Sequence, residues 1–238
     1  MRSRPQKPSL PNGRLLAHAI PVSDASDDWL VWQLTDSALP TGGFAHSSGL
    51  EAAVQHGEVR GCEHLVLFLH ASLDQAGHAA LPFAAAAFDS PSQLPEFDAR
   101  YDVFTTNHVA NRASRVQGRA FLAAMERIAE IPHPQSAIQF AHFPPVFGAS
   151  LCPLGLPRRT ALRMFLFAHL RGLLAAAVRL NVAGPMEAQL LLRTLSPKAE
   201  TILKKCESLP LDAAAQTAPL LDLWQNAHDR LYSRLFQS

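Results

Sequence analysis

Residues 34–51 read LTDSALPTGGFAHSSGLE, and the fold turns on what lies beneath this glycine-rich elbow. A phosphate loop would place G-x-x-x-x-G-K-[ST] between a strand and a helix, but Gly42 and Gly43 are followed by no lysine. Ala45-His46-Ser47-Ser48-Gly49 matches the nucleophile elbow G-x-S-x-G with alanine in first place, an arrangement that lifts a serine above a β-sheet. A plain chain reversal is the third reading. In it the two glycines supply positive φ while Phe44 and Leu50 anchor the turn in a core. The first two readings require a sheet and the third does not.

Strand signals are absent from the surrounding chain, which shows no window of alternating apolar and polar β-branched residues between turn dipeptides. Helical spacing is everywhere instead. A helix is expected from about Asp24 to Ala38, ended by Pro40. Leu65, Leu69, Leu73 and Ala76 recur at helical intervals through 62–88, with a bend or break at Pro82. Residues 89–96 read as a loop. Leu94, Phe97, Tyr101 and Phe104, then Ala113, Val116, Ala120, Ala124 and Ile128, predict two helices or one broken helix closed by Ile131-Pro132-His133-Pro134. Pro157 opens a strongly apolar helix to about Asn181, and Gly184-Pro185 separates it from another at Met186. Ser196-Pro197 reads as the start of a further helix reaching Cys206, and Pro219 as the start of the last. Leu220, Trp224, Ala227, Leu231 and Leu235 would form that last helix's apolar stripe. The expected fold is all-α, with a weakly ordered tail over 1–24 and one helical domain over 25–238.

Composition narrows the function. The 238 residues are 48% hydrophobic and 17% charged, with a net charge of +1, so the generic basic surface that nucleic-acid binding needs is missing. Cys62, Cys152 and Cys206 are scattered, which indicates neither a disulfide framework nor a zinc knuckle and fits a reducing cytoplasm. The apolar run 164–180 is interrupted by His169, Arg171 and Arg179, so no membrane span is expected. Residues 1–23 carry Arg2, Arg4, Lys7 and Arg14 without an acidic residue, but lack a secretory apolar segment. Eleven histidines raise the question of a metal site. However, His64 and His70 are six apart and no H-x-x-x-H pair puts two ligands on one helix face. No stable metal site is expected.

The elbow string DSALPTGGFAHSSGLE resembles the signature of the urease accessory F-type proteins, the UreF family. Further blocks agree in order. NRASRVQG (111–118) looks like that family's mid-chain segment, HFPPVFG (142–148) its His-x-x-Pro-x-x-Gly stretch, FLFAHLRGLLAAAVRLNVAGPMEAQ (165–189) its long apolar helix, and HDRLYSRLFQS (228–238) its Tyr-Ser-Arg-Leu-Phe ending. The resemblance runs from about Trp29 to Ser238. It implies a cytoplasmic, all-helical, non-enzymatic homodimer that binds a D/H-type scaffold and a G-type GTPase. The resulting complex would deliver nickel to apo-urease, whose active-site lysine must be carbamylated, with no cofactor held stably by this chain. The competing functions are a serine hydrolase using the Ala45–Gly49 elbow and a helical scaffold with an unrelated partner.

Residue roles follow from that reading. Gly42 and Gly43 set the turn, and His46 and Ser47 present polar groups. Glu51 opens the next helix where its charge suits the positive helix end, and is a candidate contact for the GTPase. Asn111 and Arg115 share a helix face with Gln117 off it, a placement suited to bracing the elbow. Arg158, Arg159, Arg163, Arg171 and Arg179 lie in a stretch, 156–186, without a carboxylate. They either snorkel from a core helix or pair with carboxylates of a partner. Leu231, Leu235 and Phe236 carry the apolar stripe almost to residue 238. The tail, Tyr232, Ser233, Arg234, Leu235 and Phe236, is therefore expected to seat in a groove of the scaffold with Tyr232 and Arg234 as hot spots, packing on its own chain being the alternative.

Overall fold

A computed structural model describes residues 24–129 and 138–238, with side chains from 28 onward. The expectations for the N-terminal tail and for the Ile131–Pro134 closure lie outside the described residues. Among those described there is no strand, and the all-α expectation holds.

Chain order runs α1 (Asp24–Thr35), the elbow, α2 (Leu50–Gln55), α3 (Cys62–Gln75), α4 (Leu81–Asp89), α5 (Leu94–Phe104), α6 (His108–Ile128), α7 (Phe143–Leu151), α8 (Arg158–Arg179), α9 (Pro185–Cys206) and α10 (Pro219–His228). A π-helical turn, Ala76–Ala80, joins α3 to α4. It puts Pro82 in the first turn of α4, where the absent N–H and the pyrrolidine ring are tolerated. Asn107 stops the chain between α5 and α6, its side chain accepting from the amides of Val109 and Ala110, both at 3.1 Å.

Helices α4 and α7 cross at the centre, α6 covers α7, α8 packs on α4, α9 packs on α8 and α3, and α10 lies over α2 and α6. The crossings are close because glycine permits it. A Cβ on Gly148 would stand 1.9 Å from the Ala84 carbonyl oxygen, and one on Gly118 would stand 1.9 Å from that of Ala141. Phe121, Phe143, Phe147 and Phe165 fill the space between, with ring centroids 5.3–5.9 Å apart. The two mid-chain blocks, 111–118 and 142–148, meet here. The buried Asp98 carboxylate accepts from the amides of Phe140, Ala141 and His142 at 2.7–3.0 Å. The His142 ring bridges Ser114 and Asp102, and burial lowers its pKa against the opposing pull of Asp102.

One helix was not expected and one expectation needs correction. Helix α7 carries Pro144 and Pro145 in its first turn, where proline breaks nothing. Helix α9 does not restart at Ser196-Pro197 but runs through it as one helix. Pro197 costs about 3 kcal/mol in a helix interior, and the buried Leu191, Leu195, Ile202 and Leu203 on either side offset it. Finally, α8 is long and apolar enough by length and composition to cross a bilayer, despite its charged residues. Here Leu162, Phe165, Leu166, Leu170 and Leu173 are buried in the protein core, and its N-terminal arginines pair with Asp89, Glu200 and Glu207.

Gly148→Ala should lower stability by about 2 kcal/mol or more, because the α4–α7 backbones must part. Gly172→Ala, where an added Cβ meets nothing within 4 Å, should be neutral or stabilise by about 0.5–1 kcal/mol. Urea-denaturation midpoints measure both.

Candidate functional site

The elbow folds as a 3-10 turn, Gly43–Ala45, with left-handed Gly42 (φ 70°) before it and left-handed Ser48 (φ 52°) and Gly49 (φ 87°) after it, so the positive φ expected of Gly43 falls at Ser48 and Gly49 instead. Neighbours close on it from two sides. A Cβ on Gly43 would come within 2.9 Å of Gln117 Nε2 on α6, and one on Gly49 within 3.0 Å of the Gln225 amide on α10. Leu50 anchors the turn in the core as expected, but Phe44 does not; its ring stands 71% exposed.

Glu51, in the first turn of α2, is fully buried. Its carboxylate accepts from His228 Nε2 at 2.9 Å, the Leu235 amide at 2.6 Å and the Phe236 amide at 3.2 Å. The helix N-terminus adds its own positive field. An uncompensated buried carboxylate costs several kcal/mol, and three donors, each a charge-assisted bond of about 1.5–3 kcal/mol, offset that cost. The surrounding chain is tied in the same way. The Ser47 amide donates to Ser238 O at 2.6 Å and the Gln237 amide to Ala45 O at 2.8 Å. Gln55 Nε2 donates to Ser233 O at 2.9 Å, and the His46 ring Nδ1 meets Ser238 Oγ.

Arg179 reaches in from α8. Its guanidinium donates to Phe44 O at 2.6 Å and Leu235 O at 3.2 Å, and lies 4.1 Å from the Phe236 ring centroid. Phe236 is buried beneath it, while the side chains of Tyr232 and Leu235 face outward. Beside this, Asp229 takes both guanidinium nitrogens of Arg112 at 2.7 and 3.2 Å. That bond holds its carboxyl below the usual range.

The structure thus gathers Gly42, Gly43, His46, Ser47, Glu51, Gln117, Ser233, Leu235 and Phe236 at one place, and leaves others apart. Arg115 stacks 5.1 Å from the Phe140 ring, away from the elbow. Arg171 donates to Thr35 O, tying the end of α1 to α8; burial lowers its pKa. Arg234 reaches only Asp229, at 3.5 Å. Tyr232 is fully exposed. His228 is a site residue missed from sequence; Gly49 was read only as the end of a nucleophile elbow and Arg179 only as one of five arginines that snorkel or meet a partner's carboxylates. Gly49 had a signal for its turn, since a glycine directly before a helix invites left-handed backbone. The contacts of His228 and Arg179 had none, because their partners lie 177 and 56 positions away.

Several site expectations change. Glu51 cannot face a GTPase, since it has no exposed surface. The last helix stops at His228, so its stripe does not continue to Leu235. Leu221 and not Leu220 is its buried leucine, and the following segment folds back onto the elbow. Ser47 sits on no sheet among the described residues, and its buried Oγ donates to Ser238 O at 3.2 Å, which withdraws it as a nucleophile. Among the described residues no three His, Cys, Asp or Glu side chains converge as metal ligands.

Known proteins share this arrangement of sequence. The UreF family profile matches residues 59–196. Urease accessory protein F of Arabidopsis thaliana is 39% identical over 221 residues, covering 88% of this chain and 92% of its own length. Its counterpart in Oryza sativa subsp. indica is 38% identical over 219 residues, covering 87% and 84%. Urease accessory protein UreF of Trichodesmium erythraeum is 30% identical over 230 residues, covering 90% and 98%.

Glu51→Ala strands His228 and two amides without their acceptor, and should cost about 3–5 kcal/mol. Amide hydrogen exchange at Leu235 and Phe236 should rise well before global unfolding, and Glu51→Gln should restore part of the protection. A pH effect follows from two other imidazoles. Burial lowers His46 and His169 from 6.5 to about 4, so between those values the unfolded chain binds protons that the folded one does not. Stability is complete above pH 6.5 and falls as pH drops toward 4, by up to about 1.4 kcal/mol per pH unit for each ring. Denaturant midpoints between pH 7 and 5 test this, with a shallower fall expected for His169→Gln.

Proposed function

The chain belongs to the UreF family of urease accessory proteins, and from that premise we propose that it is a non-catalytic adaptor. It bridges a D/H-type scaffold and a G-type GTPase, and so couples nucleotide state to nickel delivery into apo-urease. Nickel is cargo of the assembled complex and not a resident cofactor of this chain. The adaptor works in the cytoplasm as a homodimer.

One observation carries this reading: the clamped segment 229–238 turns backbone groups and the Phe236 ring inward and the side chains of Tyr232 and Leu235 outward. Leu235 donates its amide to Glu51 and its carbonyl accepts from Arg179, yet its side chain is 61% exposed. Phe44 is exposed on the other side of the same guanidinium, and Tyr232 stands free nearby. Trp29 and Trp32, edge to face at 5.2 Å, are exposed on α1, whose end Arg171 ties to α8. Exposed aromatic side chains on a rigid backbone lose little entropy on docking and suit interface anchors. The scaffold therefore meets a prepared ledge, in place of the free amphipathic helix read from the sequence.

The double variant Tyr232→Ala/Leu235→Ser should weaken scaffold binding at least about tenfold, equivalent to about 1.4 kcal/mol, without changing the melting temperature. It should also lower urease activation when the accessory set is reconstituted. Unchanged affinity, measured by titration calorimetry with the purified scaffold, would remove this ledge from the interface. A scaffold-bound complex that leaves GTP turnover and nickel transfer untouched would remove the coupling role.

A further inference from the structure

Helix α6 turns a row of arginines to solvent that the adaptor role does not use. Val109, Gly118, Phe121, Leu122 and Met125 bury one face of the helix. Its exposed face runs Arg112, Val116, Arg119, Ala123, Arg127, at intervals of four, three, four and four residues. That spacing keeps to one side of a helix, here over about 22 Å. No aspartate or glutamate occurs between His108 and Met125, so nothing on this stretch of the helix offsets the row. Arg112 and Arg115 stand three apart and Arg115 and Arg119 four apart, like-charge neighbours that weaken an isolated helix. The first turn carries no acidic residue either, although the positive end of the helix dipole would favour one. The row therefore does nothing for the helix that bears it.

The rest of the fold leaves most of this charge in place. On α8, Arg158, Arg159 and Arg163 each receive a carboxylate from another element. On α6, among the described residues, Asp229 reaches Arg112 at 2.7 Å but is shared with His108 at 3.1 Å and Arg234 at 3.5 Å. Arg119 and Arg127 are exposed and form no ion pair among the described residues. Arg115 lies off the row, its guanidinium over the Phe140 ring. Between the arginines stand two short apolar side chains, Val116, which is 42% exposed, and Ala123. Short side chains let a second helix axis come close, while arginines on either side reach forward to make bidentate contacts with carboxylates. A nucleic acid would answer the charge but would gain nothing from the gaps at Val116 and Ala123, since its phosphates bind cations without regard to what lies between them.

We propose that the exposed face of α6 docks an acidic amphipathic helix of a partner protein, its carboxylates on Arg112, Arg119 and Arg127 and its small apolar side chains over Val116 and Ala123. The probe is a dye-labelled, alanine-based helical peptide with glutamates at the spacing of the arginine row. Anisotropy titration with the full chain should show saturable binding that weakens as sodium chloride rises. A peptide of the same composition with its glutamates spread round the helix should bind at least about tenfold more weakly. Arg119→Glu/Arg127→Glu should also weaken binding at least about tenfold, whereas Arg193→Glu, at an exposed position of α9, should not change it. Val116→Glu should weaken it severalfold and serves if the double variant does not fold. Equal binding of the spread peptide, unchanged affinity in the folded α6 variants, or an oligothymidylate of equal charge bound as tightly as the peptide would each overturn the proposal. So would loss of self-association in Arg119→Glu/Arg127→Glu by sedimentation, which would assign the row to a second copy of this chain. Neither scaffold nor GTPase enters these measurements, so their failure and that of the adaptor role are distinguishable.

Discussion

A single carboxylate with no access to water holds the C-terminal segment of this molecule in place. Glu51 must find donors inside the protein, and it finds them on α10 and on the chain beyond it. The helix start that carries it cannot move away, because Gly49 is gripped by α10 and Gly43 by Gln117. Gly49 is therefore a condition of close approach: a side chain there would meet the backbone of α10, the helix that brings His228 to Glu51, whereas at Gly43 it would meet only the end of the Gln117 side chain. The question raised by residues 34–51 resolves in favour of chain reversal, but the reversal serves to hold residues 229–238.

That arrangement separates two kinds of residue that a motif presents as one string. In Tyr-Ser-Arg-Leu-Phe, Phe236 and the backbone of Ser233 and Leu235 belong to the clamp, whereas the side chains of Tyr232 and Leu235 belong to the surface. In the proposed docking, backbone already clamped by Glu51 and Arg179 would lower the ordering cost of association. It also explains why arginines matter at this end without meeting a partner: Arg179 and Arg171 each accept the task of satisfying main-chain carbonyls at loop and helix ends.

Elsewhere the same rule governs α8. Its run of arginines without a local carboxylate invited the thought of charges reserved for another protein. Folding brings Asp89, Glu200 on α9 and Glu207 just beyond it to Arg158, Arg163 and Arg159. These pairs are largely solvated and are worth little individually, but they leave the apolar stripes of α8 to the core.

Much was legible in the order of residues alone. Helical periodicity, proline placement and the absence of alternating strands were enough for the all-α class and most element boundaries, because these are local properties. The string 34–51 with its companion blocks pointed to the family. Errors arose where a local rule met a non-local force. Pro197 stays inside α9 because leucines on both sides are buried against other helices. Helix α10 ends at His228, and the chain beyond it turns back so that the Leu235 and Phe236 amides reach Glu51. Whether Glu51 and Ser47 face a partner or the interior, and whether an arginine holds a carboxylate or a carbonyl, depends on contacts between residues far apart in the chain. Sequence spacing carries no measure of those distances, and burial sets the energy of each such contact.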